Sequence, residues 1–469
     1  MAQRASRCCK LSGEMDRRSF LTASAGALAA RLSAAPERPP NIVVMLCDDL
    51  GYGDVGFNGS ALKTPNLDRA ASEGVRFTQC YSADPVCSPS RAALLTGRYP
   101  TRVGVPRVLF PYDKTGLPDG ETTIAQVLKK RDYKTMCVGK WHLGHLPQFL
   151  PTNRGFDEYF GIPYSNDMEP PVLLHNTETV EARADMSTLT QKYTGQAVKF
   201  IEGAKDSPFF LYFPHTMPHI PLGASERFRN KSNAGLYGDV VAEIDWSFGE
   251  VMSALKRAGV DGNTLVLFSS DNGPWYQGSP GRLRGRKGTT YEGGMRVPFL
   301  GWMPGRIPAG RVSHGIASLM DVMPTVAKLA GAPMPARPLD GIDIWPLLSG
   351  AADSIEREAL LYFDDVNVQC ARRGRWKLHI ARHNSAVYAP APPGGRRNYP
   401  LSAPELYDIE NDVDESYDMA PERPEVVRDL QARIDRLIAT FPEQIRKAYA
   451  GTRARQVKPN AAGQYAVPQ

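Results

Sequence analysis

Cysteine is scarce in this chain, long apolar runs are missing, and neither sign of charge dominates. Seven cysteines scattered over 469 residues exclude a fold framed by disulfides. No apolar run approaches membrane-spanning length, so stable membrane insertion is not expected. The formal net charge of +6 is small for this length and spread along the chain. Basic runs interleaved with aromatics are missing, which argues against a nucleic-acid partner, and there are no internal repeats. What remains is the composition of an ordinary globular protein long enough to bury a substantial core.

The first residues read as an export segment. Asp16-Arg17-Arg18-Ser19-Phe20-Leu21, the mildly apolar stretch 22–30 and the small residues Ser33-Ala34-Ala35 have the pattern of a twin-arginine signal. Residues 1–35 are assigned to it, with cleavage near Ala35 and Met15 as the expected start. A twin-arginine translocase is then a partner, and the periplasm or the exterior the destination. Cys8 and Cys9 leave with the signal, Cys47 and Cys137 lie inside apolar runs and read as core, and Cys87 stands apart.

From about Asn41 to Gly350, apolar runs alternate with amphipathic helical patterns, the signature of an α/β fold with a mostly parallel sheet flanked by helices. Strands are expected at 42–47, 135–139, 209–213, 264–269 and 299–303. One helix runs from Pro65 to Gly74, a second includes Ile124, Val127 and Leu128, and Tyr237, Val241, Ile244, Phe248, Met252 and Leu255 trace a third. Beyond Gly350 short strands alternate at 360–363 and 366–371. Trp376, Leu378 and Ile380 then face one way, with Lys377 and His379 the other. A Pro/Gly/Arg-rich loop at 389–400, a strand at 405–409 and a helix through Leu430, Ile434, Leu437, Ile438 and Phe441 complete a smaller antiparallel sheet plus helix. The expected divisions are thus a catalytic α/β domain at 36–350, a C-terminal α+β subdomain at 351–450 and a polar, disordered tail at 451–469.

Ligand sites in open α/β sheets form beyond the carboxyl ends of parallel strands. Four expected strands end in chemistry there: Asp48-Asp49, Lys140-Trp141-His142, His215 leading to His219, and Asp271-Asn272. Asp48, Asp49, Asp271 and Asn272 offer hard oxygen ligands suited to Ca²⁺, with Mg²⁺ second, and unsuited to zinc. Asp pairs after a strand also serve as turn caps, so each pair by itself leaves both readings open. Arg91, Lys140 and Lys287, with His142 and His219, would ring an anionic group such as a sulfate or phosphate ester. His215 reads as structural.

Cys87-Ser88-Pro89-Ser90-Arg91 reads as a helix start, with Ser88 as N-cap, Pro89 at the first helical position and Gly97 as the stop. The Cys87 side chain then lies at the positive end of a helix, a place that lowers a thiol pKa or holds an anion.

Together these segments resemble the sulfatase family, most closely its arylsulfatase A-like members. The matching stretches are 48–54 (DDLGYGD), 64–68 (TPNLD), the Cys87 to Arg91 pentapeptide with 92–98, 139–144 (GKWHLG), 161–165 (GIPYS), 271–274 (DNGP) and 287–294 (KGTTYEGG). The resemblance implies an alkaline phosphatase-like fold and a sulfuric ester hydrolase. It implies that a separate formylglycine-generating maturation enzyme oxidises Cys87 to formylglycine (3-oxoalanine). One oxygen of the hydrated aldehyde would attack sulfur to give a covalent sulfate ester, and the other would expel sulfate.

It further implies that Asp48, Asp49, Asp271 and Asn272 hold Ca²⁺ beside residue 87, and that Arg91 orients that residue and the carboxylates. Lys140, Ser165 and Lys287 would bind sulfate oxygens, His142 would serve sulfate expulsion, and His219 would bind substrate and protonate the leaving alcohol. The implied substrate is a sulfated small molecule or glycan. Departures fall on the alcohol side: Asn398-Tyr399-Pro400-Leu401-Ser402 stands where arylsulfatase A carries a histidine, and Arg286 precedes Lys287 where it has a small residue or cysteine. Two rivals remain in view, a phosphodiester or phosphonate monoester hydrolase and a non-catalytic binder of sulfated glycans.

Overall fold

The computed structural model describes residues 38–385 and 390–460. The expected export signal and Met15 start lie outside them. The chain from Pro40 onward forms one compact unit built on two sheets.

The larger sheet starts with β1 (Asn41–Cys47), whose seven residues are all buried. Successive side chains of a strand point to opposite faces, so Ile42, Val44 and Leu46 enter one apolar layer and Val43, Met45 and Cys47 the other. Helix cover on both faces is why such a strand reads as a continuous apolar run; burying each Leu, Ile or Phe stabilises by about 1.5–3 kcal/mol. β1 pairs in parallel with β7 (Phe209–Pro214) and β8 (Thr264–Ser270), and β7 with β3 (Lys134–Val138). Helix Met186–Ala204, which the sequence reading omitted, and helix Gly235–Arg257 send Leu189, Tyr193, Ile201, Ile244 and Phe248 into one layer.

The remaining strands are β2 (Val75–Tyr81), β4 (Glu158–Gly161), β5 (Leu173–His175), β6 (Glu178–Glu181), β9 (Arg296–Trp302), β10 (Arg311–Ser313) and β11 (Ala317–Ser318). β9 covers the strand expected at 299–303 but is not parallel: it runs antiparallel to both β8 and β2. The reason lies in its connection. Residues 271–295 stay at the edge where β8 ends and include only the one-turn helix Glu292–Met295, so the chain re-enters from that edge in the opposite direction.

The smaller sheet is antiparallel, in the order β12 (Leu360–Asp364), β13 (Asn367–Arg373), β14 (Trp376–His383), β15 (Asn398–Asp408). Helices Pro424–Ile438 and Glu443–Arg453 pack Leu430, Ile434, Ile445 and Tyr449 against it. Two expectations are corrected here, and one face is filled in. Lys377 and His379 share the second face of β14, as expected, and that face is buried too, because two buried carboxylates meet it. The residues placed at the end of the 389–400 loop, 398–400, are the start of β15. Gly451 continues a helix and the Val457 N–H donates to the Ser402 carbonyl at 2.9 Å, so the expected disorder does not begin at 451.

Candidate active site

The parallel strands β1, β3, β7 and β8 deliver their carboxyl ends to one edge, and their ladder continues into the loops. His215 N donates to the Leu46 carbonyl, Asp271 N to Cys47, Lys140 N to Pro214 and Asp48 N to Met217, at 2.7–3.1 Å. These bonds bring together residues far apart in sequence. Asp49 and His142, both at this edge, take left-handed backbone angles, with φ of 64° and 58°.

Helix Cys87–Thr96 enters the same edge and is buried throughout. Its start differs from expectation: Cys87 is the first helical residue, Val86 precedes it as an extended residue, and no side chain caps the turn. The Ser88 hydroxyl instead accepts from Leu109 N at 3.1 Å. Gly97 ends the helix as expected, at φ 69°. The thiol is not activated either. Burial pushes Cys87 up to about 12, outweighing the downward pull of Lys140 and Lys287.

Around Cys87 the charges alternate. Its sulfur lies 3.6 Å from Asp48 Oδ1. Lys140 Nζ donates to Asp48 Oδ2 at 2.5 Å and to Ser165 Oγ at 3.1 Å. Arg91 directs Nε and Nη2 onto Asp271 Oδ2 at 2.9 and 2.8 Å, and Nη1 onto the Lys140 carbonyl at 2.7 Å. Lys287 Nζ reaches both oxygens of Asp49, at 2.8 and 2.9 Å. His219 Nε2 is 3.6 Å from Asp49 Oδ2. Asp48, Asp49, Cys87, Arg91, Lys140, Ser165, His219, Asp271 and Lys287 are thus brought together here.

Burial and these neighbours set the electrostatics. Burial opposes the charge on Asp48, yet Lys140, His219, Arg91 and Lys287 hold its carboxyl well below the usual range. Asp271 goes the other way, raised to about 6 by burial and the Asp48 charge despite Arg91. Burial acts against Lys287 too, but Asp49 and its neighbours hold its ammonium well above the ordinary value. His142 is pushed far down by burial, Lys140 and Arg91, and its Nε2 meets the Leu109 carbonyl at 2.9 Å. That bond requires a proton on Nε2 and leaves Nδ1, buried and unpartnered, as a lone pair. His219 is lowered by burial and Lys287, and its Nδ1 faces the Ile220 carbonyl at 2.6 Å. His215 stacks on Phe213 at 4.2 Å and is pushed to about 3 by burial, in keeping with a structural role.

The residues fit a hard cation. One ligand atom each from Asp48, Asp49, Cys87 and His219 lies within 4.8 Å of the others. The buried Asn272 Oδ1 has no protein partner, while its Nδ2 donates to Asp49 Oδ1 at 2.8 Å. Asp271 is committed differently, with Oδ2 to Arg91 and Oδ1 to Asp49 N at 3.2 Å.

Three supports escaped the sequence reading. Ser270 Oγ accepts from Leu50 N and donates to the Asn272 carbonyl. Ser88 positions Leu109, whose carbonyl sets the His142 tautomer. Glu292 and Glu415 hold the Lys287 segment. A hydroxyl just before the Asp271-Asn272 pair was a usable signal for Ser270; Leu109 acts through its backbone and leaves none.

A doubly covered sheet whose edge gathers carboxylates, the buried Arg91 and Lys140, the part-exposed Lys287 and two histidines around one side chain fits a hydrolase of anionic esters. The model of the Sulfatase family matches residues 40–332, and that of the C-terminal region of aryl-sulfatase matches 355–465. Arylsulfatase A of Homo sapiens is 40% identical over 89% of this chain and 92% of its own length. N-acetylgalactosamine-6-sulfatase of Mus musculus is 41% identical over 74% and 73%. Among solved structures, the PsFucS1 sulfatase from Pseudoalteromonas sp. superposes with a TM-score of 0.79 at 28% identity, covering 92% of this chain and 94% of that one. Ps i-CgsB in complex with k-i-k-neocarrahexaose gives 0.74 at 32% identity, covering 85% and 93%. The chain belongs to the sulfatase family: it is a sulfuric ester hydrolase of alkaline phosphatase-like fold.

Proposed function

We propose that Cys87, once matured to formylglycine, is the nucleophilic position for sulfate-ester hydrolysis at a calcium site formed by Asp48, Asp49, Asp271 and Asn272. The observation that carries this reading is the convergence of residue 87 with hard oxygen donors, including the unpartnered Asn272 Oδ1, beneath Arg91, Lys140 and Lys287. When bound, calcium would supply Lewis-acid polarisation of a sulfate oxygen, and the hydrated aldehyde the attacking oxygen.

The chain's own groups do the rest. Lys140, Ser165 and Lys287 bind the sulfate oxygens, where charge-assisted hydrogen bonds are strong away from water. Arg91 locks the helix carrying residue 87 to Asp271 and to the Lys140 carbonyl. His142 Nδ1 is the one site on that ring able to take a proton, and its neutrality inside a cationic pocket keeps it a base. His219, its Nδ1–H held by the Ile220 carbonyl, must bind a second proton at Nε2 in the substrate complex and pass that proton to the departing alcohol; an anionic sulfate nearby favours this by opposing the downward pull of Lys287 on that ring.

A sulfated saccharide is the proposed substrate. Support comes from relatives bearing the names arylsulfatase A and N-acetylgalactosamine-6-sulfatase and from the neocarrahexaose held by a structural neighbour. A formylglycine-generating enzyme and a twin-arginine translocase are the proposed partners, and residues 1–35 the export signal of a periplasmic or secreted enzyme. No helix among the described residues is long and apolar enough to cross a membrane. Domain divisions near 350 and 450 complete the proposal.

The test pairs peptide mass spectrometry across Cys87, on protein produced with a maturation enzyme, with matched aryl sulfate and phosphate esters. Aldehyde at residue 87 and turnover of the sulfate are expected. A phosphodiester preference of about 10-fold in kcat/KM, roughly 1.4 kcal/mol, would overturn the reaction assignment. Tight binding without turnover by fully modified protein would favour the glycan-binder reading.

A further inference from the structure

Two buried carboxylates stitch the loop that carries Lys287 to the smaller sheet. Glu292 Oε1 accepts from Lys377 Nζ at 3.0 Å, and its Oε2 from the Tyr81 hydroxyl at 2.7 Å. Glu415 Oε1 accepts from Lys377 Nζ at 3.0 Å and meets His379 Nε2 at 2.7 Å. Its other oxygen accepts the Glu292 backbone N–H at 2.7 Å, and its carbonyl accepts Arg284 Nη1 at 2.6 Å. Glu415 thereby grips the loop at 284 and at 292, on both sides of Lys287.

Glu415 is wholly buried and sits at φ 52°, a left-handed conformation that is costly for glutamate. Buried ion pairs often stabilise no better than apolar residues of the same size. What the carboxylate provides, and a leucine would not, is direction: one oxygen aimed at a backbone N–H and the other shared by an ammonium and an imidazole. Between the two grips Gly288 N donates to the Pro85 carbonyl at 2.9 Å, tying the loop to the segment just before Cys87. Lys287 Nζ then falls on Asp49.

We propose that Glu415, with Lys377 as its counter-charge, is a positioning residue that fixes segment 284–292 so that the Lys287 ammonium faces the sulfate group. This rests on the sulfate-binding role proposed for Lys287. A misplacement of about 1 Å at such a group is enough to cost about 100-fold in rate.

The experiment compares matured wild type, Glu415→Ala, Glu415→Gln and the control Tyr99→Phe. The control removes the hydroxyl that accepts Leu361 N and so weakens the same sheet away from this loop. Steady-state kinetics on p-nitrophenyl sulfate, competition by inorganic sulfate, and amide hydrogen exchange of peptides spanning 284–294 are measured on folded protein. For Glu415→Ala the expected result is a rise in KM and in the sulfate inhibition constant of about 10-fold or more, with faster exchange confined to 284–294. Glu415→Gln, whose amide oxygen still accepts from Glu292 N but whose NH2 meets the Lys377 ammonium where an acceptor was, restores part of the KM and falls between wild type and Glu415→Ala. Unchanged sulfate competition in Glu415→Ala, or the same changes in Tyr99→Phe, would reduce the network to a brace between sheets and overturn the proposal. If wild type turns over no sulfate ester, the sulfatase reading fails by itself, and exchange at 284–294 alone decides the positioning.

Discussion

Asn272 donates to Asp49 Oδ1 at 2.8 Å through one end of its amide, while Oδ1 at the other end is buried against no protein donor. A buried amide oxygen left without a partner costs about 1–3 kcal/mol, so the arrangement favours a cation beside Asp48 and Asp49. Chelator-treated protein is therefore expected to melt lower than the calcium-loaded form. Calcium at 100 times its dissociation constant should restore about 2.7 kcal/mol. Zinc should restore less, since hard oxygen donors dominate the cluster. Asn272→Ala should weaken calcium binding in titration calorimetry; equal stabilisation by both metals would count against the oxygen-donor assignment.

Gly139 links the end of β3 to Lys140 at φ 124°, and a methyl group there would lie 1.8 Å from the Pro214 carbonyl oxygen, the acceptor for Lys140 N. Gly139→Ala must therefore push β3 and β7 apart where Lys140 leaves the sheet. The expected loss is about 2 kcal/mol or more in denaturant unfolding, with activity falling further than the folded fraction explains. Wild-type unfolding by this variant would mean the two strand ends separate without cost.

The buried charges under β14 predict a pH dependence at the alkaline side. Burial acts to lower His379, but the Cys370 sulfur at 3.1 Å and Glu415 at 2.7 Å raise it from 6.5 to about 9. Lys377, Tyr291 and Tyr407 also face this cluster. A histidine with a raised folded pKa contributes stability that is complete below its unfolded value and is lost as pH rises through the folded one. The melting-temperature gap between wild type and His379→Asn should be widest below pH 6.5 and close through about pH 9. Glu415 titrates oppositely: held down to about 2 by Lys377 and His379 against burial, its contribution is complete above the ordinary 4.5 and fades as pH falls toward 2. A gap constant from pH 6 to 10 would show that His379 is neutral in the fold.

Much of this was legible in the sequence, for physical reasons. β1, β7 and β8 are covered on both faces, so they read as unbroken apolar runs, and the polar residues after them mark the sheet edge. β2 was not read because Arg76, Thr78 and Gln79 are only half-buried in it and break any clean run. Helix Met186–Ala204 hid behind two glycines and several threonines, although Leu189, Tyr193, Ala197, Phe200 and Ile201 hold helical spacing. Cys87, Arg91, Lys140 and Lys287 were found through short motifs. The cover over Lys377 and His379 was not legible, because alternation along a strand says which residues share a face, not what covers it. Their partners Glu292 and Glu415 lie far away along the chain.

The two histidines are separable by leaving-group chemistry. Each ring is fixed by a backbone carbonyl, His142 through Nε2 on Leu109 and His219 through Nδ1 on Ile220, but His142 is held neutral between Lys140 and Arg91 whereas His219 Nε2 lies beside the Asp49 carboxylate. If His219 protonates the departing oxygen, its loss matters little when the alcohol leaves readily as an anion, and greatly when it does not. His219→Ala should lower kcat/KM by less than about 10-fold for a nitrophenyl sulfate and by about 100-fold or more for an alkyl or sugar sulfate. Removing His142 should instead lower kcat to one common value for both substrates and leave kcat/KM much less affected, because its lone pair serves a step after the alcohol has gone. A uniform loss in His219→Ala would instead assign that residue to sulfate binding alongside Lys287, and the acid would have to be sought among the groups on the alcohol side of the pocket.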